Sequence, residues 1–291
     1  MEITENLVKE LVAEQFPELT YLEIRQVQLS GHDNKTFHLG DEMVIRMPSA
    51  KCYASQVLKE QEFLPKLSPF LSFPIPRPLF LGNPSKKYPF NWSIYSYLDG
   101  DSVSSLSLNN IQLENLAHDL AKFLKELHKI NTSNGPPPGL HNYWRGDAPY
   151  VYDNDTRRLI NKLSNEIDVS KAIETWEKAI SSKFNQDLVW VHGDFASGNI
   201  LTRDGRLSAV IDFGCMAVGD PACDLVIAWT LLKVMDRQIF KDNLSFDEDT
   251  WTRAKGWALW KALVTLENID NKVSPDALKQ LHIINEVYKE Q

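Results

Sequence analysis

Asp194, Asn199 and Asp212 have the residue types and the spacing to do chemistry together. The first two stand in VWVHGDFASGNIL (189–201) and the third in VIDFG (210–214). Taken singly each has an ordinary explanation, because Asp and Asn beside Gly form turns and caps. Together they supply two carboxylates and an amide oxygen. Phosphoryl transfer to a hydroxyl needs a carboxylate to orient the attacking O–H and take its proton, and oxygen ligands to hold Mg²⁺ against nucleotide phosphates. The chain between the three is what brings them to one place. Strand-like segments 199–202 and 207–211 flank the two-residue turn Asp204-Gly205, a strong hairpin signal. Such a hairpin sets Asp194 and Asn199 at its entrance beside Asp212 and Gly214 at its exit.

The elements that must carry this hairpin are legible on either side. Leu7, Leu11 and Val12 at helical spacing predict an amphipathic helix ending before Pro17. The run from 24 to 47 alternates strand and turn: IRQVQL, SGHDN, KTFHL, GDE, MVIRM. A helix is expected over 52–67, an extended path through the prolines of FPIPRPLFLG, and a strand at NWSIYSYL. After Leu98 the character changes. Asp99, Gly100 and Asp101 make a polar break, and Leu113, Leu116, Ala117, Leu120, Ala121, Leu124 and Leu127 then share one helix face. NGPPPG (134–139) reads as a loop, and 155–183 and most of 221–289 as helical. The expectation is an α+β chain. A small N-terminal lobe with an antiparallel sheet (1–98, hinge at about 95–100) precedes a larger, mainly helical lobe (99–291) that contains the hairpin.

Composition limits the partners. The 291 residues are 43% hydrophobic, enough for a real core, and the net charge of −8 argues against nucleic acid. Three cysteines without CxxC spacing, Cys52, Cys215 and Cys223, suggest free thiols in a reducing compartment. No signal-like N-terminus and no membrane-length apolar run are present, so a cytoplasmic protein without a membrane partner is expected.

HxD, Asn five positions later, then DFG follow the order and spacing of the protein-kinase catalytic loop and metal motif. More closely, HGDFASGNIL and VIDFGCMAVGDPACDL resemble the aminoglycoside phosphotransferase family, small-molecule kinases of protein-kinase-like fold. GHDNKTFHLGDEMVIRMP, LKEQEFLPKL, NWSIYSYLDG and NYWRGDAP extend the likeness over nearly the whole chain. The resemblance implies that Asp194 is the catalytic base and that Asn199 and Asp212 are Mg²⁺ ligands. In the small lobe it implies a phosphate-covering turn at Ser30, Gly31, His32, Asp33 and Asn34, with Arg46 at the phosphate-binding strand position paired to Glu60. The backbone of Ser96 and Leu98 would hold the purine of ATP, with GTP an alternative. For Tyr95, just before the hinge, two readings stand: narrowing of the pocket behind the purine, which accompanies GTP use in some members, or plain strand packing.

Three departures from the protein-kinase pattern carry information. Gly193 stands where regulated kinases have an arginine that a phosphorylated loop engages. Only a few residues separate DFG from GDPACDL, leaving no segment to dock a peptide. Both point to a small-molecule hydroxyl as acceptor. Arg46 replaces lysine, and its planar fork is not equivalent to an ammonium; it is either a functional substitute or the mark of a non-catalytic nucleotide-binding protein. Asp220 followed by Pro221 reads as an N-cap with proline at N1, which makes Asp220 and Asp224 structural.

The acceptor is expected to meet Trp144, Arg145 and Asp147, or the helices around Trp229, Trp257 and Trp260. Asp153, Asp155, Asp247 and Asp249 could attract a polycationic aminoglycoside or be ordinary surface charge. Macrolides, choline-like amines and sugars are alternatives to an aminoglycoside, and the oligomeric state is not indicated.

Overall fold

The computed structural model describes residues 2–27 and 33–289. Helix α1 (Glu5–Gln15) starts at Thr4, whose Oγ1 accepts the Leu7 N–H, and buries Val8, Leu11 and Val12. Beneath it lies a five-stranded antiparallel sheet of β1 (Ile24–Gln26), β2 (Asn34–Leu39), β3 (Met43–Pro48), β4 (Pro78–Gly82) and β5 (Trp92–Ser96), in the order β1-β2-β3-β5-β4. Alternation in the strands turns Phe37, Leu39, Ile45, Met47, Trp92 and Ile94 into one cluster with α1. Helix α2 (Ala54–Leu67) joins this sheet to the segment that follows Asp212: Lys59 Nζ donates to the Met216 carbonyl at 3.1 Å. A Cβ on Gly214 would stand 2.6 Å from Gln56 Oε1, so α2 packs directly on DFG.

Beyond β5 the chain is mainly helical, as expected. The polar break at Asp99–Asp101 is more than a loop, because β6 (Asp101–Ser102) pairs with the hairpin. Helix α3 (Asn110–His128) opens on a capping box between Asn109 and Gln112 and buries the predicted leucine face. The helical stretch expected over 155–183 is two helices, α4 (Asp153–Lys162) and α5 (Val169–Ser181), separated where Asp168 caps the second by accepting the Lys171 N–H. The β7 strand (Val189–Val191) leads into the HGD loop. The hairpin is β8 (Ile200–Arg203) and β9 (Arg206–Val210), with Asp204 and Gly205 at φ of 53° and 75° as a tight two-residue turn requires. A short strand absent from the sequence reading, β10 (Ala217–Gly219), returns along β7. The C-terminal stretch breaks into a 3₁₀ turn (Pro221–Val226), α6 (Ile227–Thr230), α7 (Val234–Leu244), α8 (Glu248–Glu267) and α9 (Pro275–Lys289). Trp229, Trp251, Trp257 and Trp260 are buried among these helices. Among the described residues, no helix is long and apolar enough to cross a membrane.

Candidate active site

The HGD loop is fixed from below by a buried carboxylate. Asp224 accepts the backbone N–H groups of His192 at 2.6 Å and Gly193 at 2.8 Å. The fully buried His192 ring then receives the Asp194 N–H on Nδ1 at 3.2 Å, which obliges Nε2 to carry the proton and donate to the Ile211 carbonyl at 3.0 Å. The ring therefore ties the loop to the residue before Asp212. Gly193 sits at φ 82°, and a Cβ there would lie 2.1 Å from the Cys215 carbonyl oxygen. That contact forbids any larger residue, arginine included, without moving the main chain.

Asp194 emerges from this loop with its side chain 41% exposed. Its Oδ2 accepts from Asn199 Nδ2 at 3.0 Å, and the same amide also donates to the Asp194 carbonyl. These two bonds orient the Asn199 amide and leave its Oδ1 for another partner. Asp212 has φ 65° and ψ 66°, left-handed values that Asp tolerates better than most residues, and its side chain is 37% exposed. Burial of the DFG phenylalanine fixes it there: Phe213 has no solvent exposure and its ring lies 4.5 Å from that of His192. Asp194, Asn199 and Asp212 line one cleft of about 750 Å³ between the sheet and the hairpin. Among the described residues no three His, Cys, Asp or Glu side chains cluster as a metal site. The cleft offers a hard cation the Asn199 Oδ1 and the Asp212 carboxylate. This fits Mg²⁺, which keeps several waters and takes phosphate oxygens.

The opposite wall belongs to the sheet. Asp33, Asn34, Arg46, Tyr95, Ser96 and Leu98 all line the cleft, whereas Ser30, Gly31 and His32 lie outside the described residues. Arg46 spans the two walls: Nη1 donates to Glu60 at 3.1 Å and Nη2 to Asp212 Oδ1 at 2.6 Å. Burial penalises the Arg46 charge, but Asp212 and Glu60 outweigh it and hold the guanidinium more firmly protonated than usual. Tyr95 is buried, lines the cleft and donates its hydroxyl to Glu60 Oε2 at 2.5 Å, which braces the Arg46–Glu60 pair. The Ser96 N–H goes to the Arg77 carbonyl at 3.0 Å, which leaves Ser96 its carbonyl to offer a base.

On the acceptor side, Trp144 is partly exposed and Arg145 lies over the rings of Trp257 and Trp260, at 5.2 and 4.7 Å from their centroids. Asp147 caps its own loop by accepting the Ala148 N–H. Trp229 and Trp257 are core residues. Asp153 and Asp155 are engaged by Arg157 and Arg158, and Asp247 caps α8. The residue sequence reasoning missed is Lys261, whose Nζ donates to Asp194 Oδ1 at 3.0 Å. It follows Trp257 and Trp260 at the i, i+3, i+4 spacing of one helix face. A lysine on a tryptophan face was the signal available. Burial raises the Asp194 carboxyl, but Lys261 first, then Arg145, bring it below the usual carboxylate range.

A family model of phosphotransferase enzymes matches residues 23–257, which includes both walls of the cleft and the first half of α8. The chain belongs to the phosphotransferase enzyme family. Among curated members, the aminoglycoside 3'-phosphotransferase of Escherichia coli is 29% identical over 126 residues, 41% of this chain and 44% of that relative. The chain therefore aligns with less than half the length of that family member. Solved aminoglycoside phosphotransferase structures share the whole architecture. The GDP and kanamycin complex of an aminoglycoside 2''-phosphotransferase superposes with a TM-score of 0.71, at 18% identity and covering 98% of this chain and 99% of that one. The streptomycin–ATP ternary complex of another gives 0.63 at 21% identity, covering 100% and 98%. These likenesses establish the bilobal, protein-kinase-like α+β fold of the family.

Proposed function

We propose that this phosphotransferase family member moves the γ-phosphoryl group of a purine nucleotide to a hydroxyl of a small molecule, with an aminoglycoside-type antibiotic as the acceptor class. One observation carries the reading: Asp194, Asn199, Asp212 and Arg46 meet on a single cleft whose far wall is the sheet. In this reading residues 1–98 form the nucleotide lobe and residues 99–291 carry the catalytic loop and acceptor site. The relatives support the choice of acceptor and nucleotide, since the curated one is named for aminoglycosides and the two solved ones are complexes with kanamycin and GDP and with streptomycin and ATP.

Each residue then has a defined task. Asp194 accepts a hydrogen bond from the acceptor hydroxyl, aims its oxygen in line with the γ-phosphorus, and takes the proton as the new P–O bond forms and the bond to the β-phosphate oxygen breaks. Asn199 holds the carboxylate in that orientation through Oδ2. Arg46 meets the phosphates while Glu60 and Tyr95 keep its fork in place. Ser96 and Leu98 take the base, and Asp33 and Asn34 stand at the phosphate end. Asn199 and Asp212 would hold Mg²⁺, which supplies neutralising charge to the phosphates when bound. Trp144, Arg145 and Asp147 contact the acceptor.

A second reading, a nucleotide-binding protein without turnover, is favoured by the 2.6 Å Arg46–Asp212 pair, which a cation at Asp212 must share. One experiment separates the two. The protein is incubated with Mg²⁺, ATP or GTP and a panel of aminoglycosides, macrolides, choline-like amines and sugars, and products are read by mass spectrometry. Phosphorylated acceptor that disappears in Asp212→Ala is expected. Nucleotide binding without any Mg²⁺-dependent transfer or hydrolysis would establish the second reading instead.

A further inference from the structure

Lys261 has no part in the nucleotide wall of the cleft, yet it holds the carboxylate on which the acceptor must dock. Its ammonium is 3.0 Å from Asp194 Oδ1, while Oδ2 is held by Asn199, so each oxygen of Asp194 already has one donor. A carboxylate oxygen has a second lone pair, and an acceptor hydroxyl that uses it enters beside the ammonium. Lys261 is carried by α8. It stands one residue after the buried Trp260, whose ring stacks on Tyr152 at 4.2 Å, and its own side chain is only 36% exposed. A second cation backs the first. Arg145 is clamped over Trp257 and Trp260, on the face of α8 that carries Lys261, and its charge also acts on Asp194. Asp155, the carboxylate that accepts from Trp260 Nε1, is already paired with Arg158.

We infer that Lys261 is a specificity-determining residue: it selects, on the acceptor, a hydroxyl whose neighbouring ring positions carry neutral groups, and it disfavours a hydroxyl flanked by an ammonium. This rests on the proposed phosphotransferase function with Asp194 as the docking carboxylate. It leaves polycationic acceptors open, because ammonium groups remote from the reacting carbon need not approach Lys261. What it restricts is which hydroxyl of such a molecule reacts. The ring position beside that hydroxyl bears a hydroxyl or hydrogen, and the acceptor's own ammonium groups lie toward other parts of the site, Asp147 among them.

The test uses acceptor pairs that differ by one exchange of hydroxyl for amine: kanamycin A and kanamycin B, and glucose and glucosamine. Wild-type protein, Lys261→Met, Lys261→Glu and Lys261→Arg are compared with Mg²⁺ and ATP or GTP. Turnover is read where product forms, and inhibition of nucleotide hydrolysis where it does not. For the wild type, the hydroxyl member of a pair is expected to be favoured by on the order of tenfold, the scale of one like-charge contact at partial screening. The difference should lie in KM or Ki and leave kcat alone. Lys261→Met should level the ratio, Lys261→Glu should invert it, and Lys261→Arg should preserve it. A wild-type preference for the amine member, or a ratio that none of the substitutions moves, would overturn the inference. Asp194→Asn is run in parallel. Turnover undiminished in that variant would defeat the underlying function, whereas lost turnover with unmoved acceptor ratios would defeat the role of Lys261 alone.

Discussion

Four of the five aspartates between residues 194 and 224 fall into two pairs with opposite uses. Asp220 and Asp224 are buried and fully engaged. Asp220 accepts the Ala222 N–H and the Arg253 guanidinium, with Arg253 Nε at 2.5 Å, while Asp224 accepts two consecutive backbone N–H groups. Asp194 and Asp212 each have one strong cationic partner, Lys261 and Arg46, and are partly exposed on one cleft. Asp224 fixes the loop that carries Asp194, and Asp220 ties the following turn to Arg253 on α8, so that the second pair can be held incompletely satisfied. An aspartate identifies a reactive site here by what its oxygens still lack, and burial distinguishes the pairs more sharply than residue type does.

Substitutions at the four positions should separate stability from activity. The largest effect on stability is expected from Asp220→Ala, which leaves the buried Arg253 charge unpaired and should cost about 3–5 kcal/mol in a denaturant titration. Arg253 retaining native-like stability without Asp220 would break the comparison. Asp224→Ala orphans the N–H groups of His192 and Gly193. It should lower stability by about 2–4 kcal/mol and also reduce turnover by loosening the loop that carries Asp194. Arg46→Lys tests the other side, since an ammonium cannot bridge Glu60 and Asp212 as the fork does. We expect nucleotide-dependent turnover to fall by roughly tenfold, with stability changed by less than for either buried aspartate. The smallest effect concerns a surface carboxylate with two cations and no role in the site. Glu267, held down to about 2 by Arg158 and Lys162, contributes stability present above its ordinary 4.5 and lost as the pH falls toward 2. Glu267→Gln should lower the melting temperature slightly at neutral pH and remove this group's share of the fall between pH 4.5 and 2, so that the two proteins converge at the acid end.

The legible part of the molecule was the part written in local pattern. The Asp204-Gly205 turn demanded a hairpin, and the hairpin placed Asp194, Asn199 and Asp212 at one edge before any tertiary contact was known. Asp220-Pro221 likewise announced its cap. Long-range pairings were not legible. The two-residue β6 strand has no alternation to read, and β10 is recognisable only because β7 lies beside it. The break between α4 and α5 had a signal in Asp168, which the helical periodicity on both sides masked. Lys261 lies 67 residues from Asp194 in sequence and belongs to no motif. Only the packing of α8 beneath the catalytic loop makes it a neighbour.

The central claim is that Asp194 docks and deprotonates the acceptor while the rest of the cleft binds the nucleotide. Asp194→Asn keeps the size of the side chain and its bond from Asn199, and removes the charge. Nucleotide affinity and phosphoryl transfer should be measured on the same preparation of this variant. The account predicts transfer reduced by roughly 10²–10⁴-fold with nucleotide affinity within a few-fold of wild type. Transfer at the wild-type rate with the nucleotide equally well bound would contradict it.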